Sequence, residues 1–319
     1  TYGMSTEMCP HRGECRCAAV ARMSDLDALL ARPGFRGGLI DTVPGVVGEM
    51  LSLLGDVVAI TVAGPVAVND SGKYAVPTVP GDPLVCTPGL VSLRLNPSAL
   101  GSVVTTDAEQ HLPPTLRMFD THGSSSHTTY LTPASDRLAF EAIRNAADAS
   151  REANPPIQTS NTPAFWAEAD QLTQLDFILA DRGSERRNGL VALGALGYRR
   201  IDPHLMAAGM EHLSYQQLPV TTVVAGNGCL QIHRGDLDAA AMFGGTLTLA
   251  SDTCRTMIDL NGVAECWLTR THGVHGLTSS IEMYDFRRKC VAVFTQTGPA
   301  EPAVMDMWED VLTSISAAS

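Results

Sequence analysis

The sequence predicts an α+β fold made of two large antiparallel sheets, each backed by helices. Three observations predict it. Runs rich in β-branched residues and bounded by Gly, Pro and Asn fill residues 56–131 and again 220–294, with helical stretches before and after each. The order helices, strands, helix therefore occurs twice. Two pairs of segments can also be laid on one another in the same order. VVAITVAGPVAVNDSG (57–72) lies on TTVVAGNGCLQIHRGD (221–236), and LRMFDTHGSSSHTTYL (116–131) lies on IEMYDFRRKCVAVF (281–294) with a two-residue gap. An apolar residue and an aromatic precede Asp in both copies, Met118-Phe119-Asp120 and Met283-Tyr284-Asp285. This points to a duplication.

Residues 1–20 are polar and cysteine-rich, an N-terminal arm. The first repeat is expected over 21–153. Met23 to Leu54 has helical periodicity broken by Pro33-Gly34 and Pro44, with Ser24 and Asp27 as a helix start. From Asp56 the pattern changes to strands, with a turn expected at Ser71-Gly72, then a strand at Leu90–Leu95 and a pair at Thr115–Phe119 and Ser126–Leu131. Ser135 to Ala153 reads as one amphipathic helix. Residues 154–163 hold three prolines and read as a linker. The second repeat, 164–319, opens with central helices at Phe165–Leu179, Arg187–Leu196 and Pro203–Gln217. In Val220 to Gly235, the turn Gly226-Asn227-Gly228 joins two strands with residues that tolerate positive φ. Strands continue to Phe294, and Ala303–Ser316 closes the chain as a helix.

Composition narrows the function. The 319 residues are 45% hydrophobic but only 5% aromatic, so Ala, Val, Leu and Met build the core. A formal charge of −12 argues against nucleic-acid and anionic-membrane partners, which need basic surfaces. No apolar run reaches the length of a membrane span, and residues 1–20 lack a basic segment followed by an apolar core, so no secretion signal is expected. Five of the eight cysteines (Cys86, Cys229, Cys254, Cys266, Cys290) sit in apolar or strand-like stretches. Buried free thiols in a cytoplasmic protein account for them. The sequence holds no phosphate loop, no Gly-x-Ser-x-Gly elbow and no His-Glu-x-x-His.

The hairpin at 226–235, Trp267, Thr278-Ser279-Ser280-Ile281-Glu282, and Glu301 with Trp308 resemble the HemS/HmuS family of bacterial haem-utilisation proteins. In the first half Leu93-Arg94-Leu95 and Phe119-Asp120 with Gly123 and His127 are similar to it as well. The resemblance spans about two thirds of the chain. It implies a double-sheet, HemS-like fold and a cytoplasmic haem carrier or haem-degrading factor, with haem held between the C-terminal sheet and central helices. It implies haem or a related tetrapyrrole as ligand, with a haem oxygenase or a haem ABC importer as partners. A homodimer is left open, as is haem breakdown driven by an external reductant, because no acid–base pair or nucleophile stands out.

Carried over by position, the resemblance makes Arg94 a propionate-binding arginine and puts Arg270 where the family has a lysine. The family's axial histidine falls on Asp176, read here as an exposed carboxylate on an amphipathic helix; an oxygen ligand replaces imidazole poorly at haem iron. Met257 stands in the second-sheet motif as a soft ligand or a core methionine. His272 and His275 lie in the loop after Trp267, with His122 taken to lie in the equivalent loop of the first copy. His204 and His212, eight residues apart, share a helix face. Apart from the resemblance, Cys9, His11, Cys15 and Cys17 offer three thiols and an imidazole to zinc or an iron–sulfur centre, or form an oxidisable arm. Three functions follow: a haem binder, a divergent scaffold that has exchanged haem for another tetrapyrrole or a partner protein, and a metal or redox protein using the arm.

Overall fold

The structure is a computed structural model that describes residues 23–147 and 168–319. The Cys9–Cys17 arm and the 154–163 linker lie outside the described residues.

Ser24 accepts a hydrogen bond from the Asp27 amide and opens α1 (Asp25–Leu30). A short strand β1 (Gly37–Leu39) follows, then α2 (Pro44–Met50), which runs into a 3-10 turn at Leu51–Leu54. Next come β2 (Gly55–Ala63), β3 (Val66–Tyr74), β4 (Leu90–Leu95), β5 (Leu100–Thr106), β6 (Thr115–Asp120) and β7 (Ser125–Ser135). Asp136 caps α3 (Arg137–Arg144) and Asp170 caps α4 (Gln171–Ala180). Helix α5 (Glu185–Leu190) continues as a 3-10 turn over Val191–Leu196 before β8 (Arg199–Ile201). Asp202 caps α6 (Pro203–Tyr215). Strands β9 (Pro219–Gly226), β10 (Cys229–Asp236), β11 (Ala239–Phe243), β12 (Thr246–Ser251), β13 (Cys254–Asp259), β14 (Val263–Gly273), β15 (Gly276–Asp285) and β16 (Cys290–Thr295) complete the second half, and α7 (Pro302–Ala318) closes it. No helix among the described residues is long and apolar enough to cross a membrane.

The strands form one large mixed sheet backed by helices, with the order β1-β5-β6-β7-β2-β3-β4-β10-β9-β16-β15-β14-β8. Pairing is antiparallel except between β3 and β4. The order β1-β5-β6-β7-β2-β3 in the first half matches β8-β14-β15-β16-β9-β10 in the second. Each half also lends the other a strand: β13 pairs with β3, and β4 pairs with β10. At β3 the sheet forks. Residues Val66–Asp70 pair with β13, whereas Lys73 and Tyr74 pair with β4.

Three expectations change. Ser71-Gly72 is no turn: β3 runs through it, Gly72 at φ +150° absorbing the change of partner, and the chain reverses at Gly64-Pro65 instead. The 23–54 segment is not all helix, because Gly37 brings its backbone so close to Thr105 that any side chain there would overlap the Thr105 carbonyl; β1 thereby joins β5. Among the described residues, the helix expected over 135–153 ends at Arg144. In the Gly226–Gly228 hairpin, only Gly228 uses positive φ (+71°).

Alternation along the second-half strands gives two buried faces. Val220, Val224, Cys266, Leu268, Ile281 and Met283 face α6 and α7. Val223, Ala225, Leu230, Ile232, Trp267 and Tyr284 face α4 and α5. The first half packs its own core against α2 and α3. Its buried His127 bonds Thr61 through Nδ1 (2.8 Å) and Tyr74 through Nε2 (2.7 Å). Burial pushes the His127 pKa down to about 3, so the ring stays neutral. Thr61 also donates to Gln231 (2.7 Å), which locks the two halves together.

Candidate functional site

The face of the C-terminal sheet that looks toward α4 and α5 is polar at its centre. Gln171 Nε2 donates to the Gln296 carbonyl, and Gln174 Nε2 donates to Glu282 (3.1 Å) and Thr269 (3.3 Å). Helix α4 therefore lies directly on the strands. Arg186, at the start of α5, gives Nε and Nη2 to the two Glu282 oxygens at 2.6 and 2.7 Å, and the Tyr284 hydroxyl donates to the same carboxylate at 2.8 Å. Arg186 and Glu282 are 1% and 0% exposed. Burial opposes ionisation of Glu282, but the Arg186 guanidinium outweighs it and holds the carboxyl below its usual range. Nearer the edge, Arg187 grips Glu265 with two bonds of 2.7 Å, and the Trp267 indole donates to it at 3.0 Å. The Arg187 bonds, then Trp267, pull the Glu265 pKa down to about 2.

On the same helix, Asp176 is not exposed. It is 8% exposed and bound to Arg94, which is 0% exposed. Arg94 Nε and Nη2 reach its two oxygens at 2.6 and 3.1 Å, and the Gly81 amide donates to it at 2.9 Å. Arg94 spends its other donors on the Thr78 hydroxyl and the Asp82 carbonyl. The propionate arginine and the axial position that the resemblance implies are thus partners of one another. The 78–82 segment folds over both. Asp176 was read as exposed because its buried countercharge, Arg94, is distant in the chain.

The other residues singled out from the sequence lie elsewhere. Thr269 and Thr271 point toward Gln174, so alternation turns Arg270 and His272 to the opposite face. Arg270 is half-buried beside Gly197, with its Nε unbonded. His272 and His275 are exposed in the β14–β15 hairpin, where the Ala300 amide donates to His275 Nε2 (2.9 Å). His122 is not in the matching loop: it sits in the β6–β7 turn, whose counterpart by pairing order is the β15–β16 turn. Met257 is 47% exposed on β13, not core. His204 and His212 are exposed on α6, which packs on the sheet face away from α4.

Among the described residues, two cavities that fall within the size range of small-molecule sites bear on the site. One of about 700 Å³ is lined by turns of both halves, including Gly64, Asp120, His122, Asn227, Asp285 and Lys289. The other, of about 820 Å³, lies beside His233 and Cys86. Neither is lined by Arg94, Asp176, Arg270 or His272. Sequence reasoning missed Arg186. The signal was its partner, a glutamate inside the apolar strand Ile281-Glu282-Met283-Tyr284, which demands a buried cation.

Residues 184–314, which carry Arg186, Glu265, Trp267 and Glu282, match the family model described as the haemin-degrading HemS.ChuX domain. Over these residues the chain carries a HemS-type domain. It is similar to the hemin transport proteins HmuS of Yersinia pestis (22% identity over 251 residues, 73% of this chain and 72% of that one) and HemS of Yersinia enterocolitica (21% over 250 residues, with the same shares). Its fold matches that of holo-PhuS, a heme-binding protein from Pseudomonas aeruginosa, with a TM-score of 0.74 and 22% identity over 93% of this chain and 92% of that one. It also matches ChuS, an E. coli heme oxygenase, with a TM-score of 0.76 and 16% identity over 94% and 95%. The HemS-like fold thus extends over nearly the whole chain, beyond the matched domain.

Proposed function

We propose that this chain is a cytoplasmic protein of haem utilisation that takes haem or a related tetrapyrrole as cargo. The observation that carries the reading is the Arg94–Asp176 couple. A buried guanidinium held bidentately by a carboxylate is a site for carboxylates in general. A tetrapyrrole propionate competes for Arg94 on equal chemical terms with Asp176. Exchange requires the 78–82 segment and α4 to move apart, so the described arrangement is read as the closed, cargo-free state. Arg270, His272 and His275 sit outside the cleft in this reading and serve at most its rim.

Haem titration followed by Soret absorbance tests it. Asp176→Asn weakens the internal competitor and is expected to tighten haem binding about tenfold. Arg94→Lys keeps the charge but loses the two-pronged fit, and is expected to weaken binding by a similar factor. Equal affinity in all three proteins refutes the exchange. Loss of saturable binding throughout favours the second reading, a scaffold that has given up haem; the internal hydrogen bonding of Arg94 to Asp176, Thr78 and Asp82 is the observation on its side. Adding an external reductant to the loaded protein separates a carrier, which returns intact haem, from a degradation factor. Transfer assays with haem oxygenase or a haem ABC importer address the partners.

A further inference from the structure

Where the sheet forks, three side chains of different chemistry converge. Asp70 on β3 and Cys254 on β13 are directly opposed in register, and His233 reaches them from β10. One ligand atom from each lies within 4.8 Å of the others. Asp70 and Cys254 are 3% and 2% exposed, and the His233 side chain is 13% exposed. Tetrahedral coordination with bonds of about 2.0–2.3 Å needs ligand atoms roughly 3.3–3.8 Å apart, so sub-ångström to one-ångström side-chain adjustments close the set.

The surroundings orient these donors. His233 Nε2 lies 2.9 Å from Ser251 Oγ, and Nδ1 lies 3.3 Å from Asp70 Oδ2. The tautomer that gives its Nε2 proton to Ser251 turns the Nδ1 lone pair toward a carboxylate oxygen, a contact that calls for a cation between them. The Thr253 hydroxyl fixes the second Asp70 oxygen at 2.7 Å. The pairing that would close this corner is interrupted: β4 covers β10 only as far as Ile232, and the 820 Å³ cavity opens beside His233. We propose that Asp70, His233 and Cys254 form a binding site for a divalent transition-metal ion of the zinc type, with the fourth position open to this cavity. Carboxylate, thiolate and neutral imidazole around a dication carry no net charge, which suits a buried site. On binding, the Cys254 S–H bond breaks, its proton leaves to solvent and an S–metal bond forms. Burial, then Asp70, pushes the Cys254 thiol pKa well up, so without a cation the thiol stays protonated. Water completes the coordination from the cavity side.

The test uses the full chain with Cys9, Cys15 and Cys17 changed to Ser, so that arm thiols contribute nothing, after chelator treatment. Added Co²⁺ is expected to bind one per chain, with a thiolate-to-cobalt absorption band in the near ultraviolet and tetrahedral bands in the visible. Zn²⁺ should displace it. Cys254→Ser should abolish the ultraviolet band, and His233→Gln should weaken binding at least tenfold, in variants whose circular dichroism is unchanged. X-ray absorption of the zinc-loaded protein gives a measurement independent of these variants: one sulfur at about 2.3 Å with nitrogen or oxygen neighbours at about 2.0–2.1 Å. A folded protein that binds no Co²⁺, a band that survives Cys254→Ser, or a shell without sulfur overturns the site. His233 then simply donates Nδ1–H to Asp70.

Discussion

Changing Glu282 to Gln removes one negative charge with almost no change of shape, and it asks how α5 is anchored to the sheet. The Glu282 carboxylate accepts from Arg186 Nε, Arg186 Nη2, Tyr284 and Gln174. An amide offers one oxygen to these donors and turns an NH₂ group toward one of them. It also removes the carboxylate that compensates a guanidinium 1% exposed. Disrupting a buried pair from one side costs about 3–5 kcal/mol. At about 2–4 °C per kcal/mol for a domain of this size, the melting temperature should fall by roughly 6–20 °C. Thermal unfolding followed by near- and far-ultraviolet circular dichroism at pH 7 reads it. Replacing both partners with apolar residues, Arg186→Met with Glu282→Leu, should cost less than Glu282→Gln alone, because no buried charge is then stranded. The sign of the pH dependence follows from the lowered pKa. The contribution of Glu282 is complete above the ordinary value of 4.5 and is lost as pH falls through its lower folded value. A Glu282→Gln cost under about 1 kcal/mol, or a double variant as damaging as the two single changes summed, would refute a desolvated anchor.

Neutral, buried His127 supplies a second pH dependence. The unfolded chain takes up a proton near 6.5 and the folded one only near 3, so stability is full above about 6.5. It should fall by up to about 1.4 kcal/mol per pH unit below that, and urea midpoints between pH 7.5 and 4 should flatten in a His127→Gln variant. Gly209 is a different kind of constraint. A methyl there would overlap Ile315 Cδ1 across the α6–α7 crossing, so Gly209→Ala should destabilise by about 1–3 kcal/mol despite its better helix propensity, with partial relief from Ile315→Val in thermal melts.

The strands were readable wherever one face is buried and alternation is clean. β2, β9 and β10 fall close to where their β-branched runs place them, and the cap Ser24 starts its helix. Leu100–Thr106 escaped because a strand with small and polar residues at half its positions carries little periodic signal. The fork at β3 was illegible because Ser71-Gly72 has turn chemistry, and only the competition between β13 and β4 for β3 reveals that it serves a strand. Charged residues were hardest to read. Arg186 and Arg187 are adjacent, yet one is sealed against Glu282 while the other grips a carboxylate near the edge, and only long-range packing separates them. The same holds for Asp176, whose role is set by Arg94, more than eighty residues earlier in the chain.

That pairing supports one more prediction, because it couples two departures that look separate in sequence. With a carboxylate at the position where the family resemblance implies histidine, Arg94 gains an internal counter-ion and no longer needs one from a ligand. With Arg94 so occupied, the 78–82 segment can close over it and bury both. Asp176→His breaks this arrangement from one side. It removes the bidentate carboxylate and places an imidazole on α4 facing the same interface. Without cargo the variant should lose about 3–5 kcal/mol, since Arg94 keeps its burial and loses its charge partner. With haem it should recover stability in proportion to the logarithm of ligand concentration and show a nitrogen-ligated haem spectrum, because imidazole coordinates haem iron far better than a carboxylate does. Thermal melts with and without haem, read beside the Soret band, measure both effects. If Asp176→His melts like the parent protein and gains no haem-dependent stabilisation, the couple is a structural rivet, and the cleft it closes is not where cargo enters.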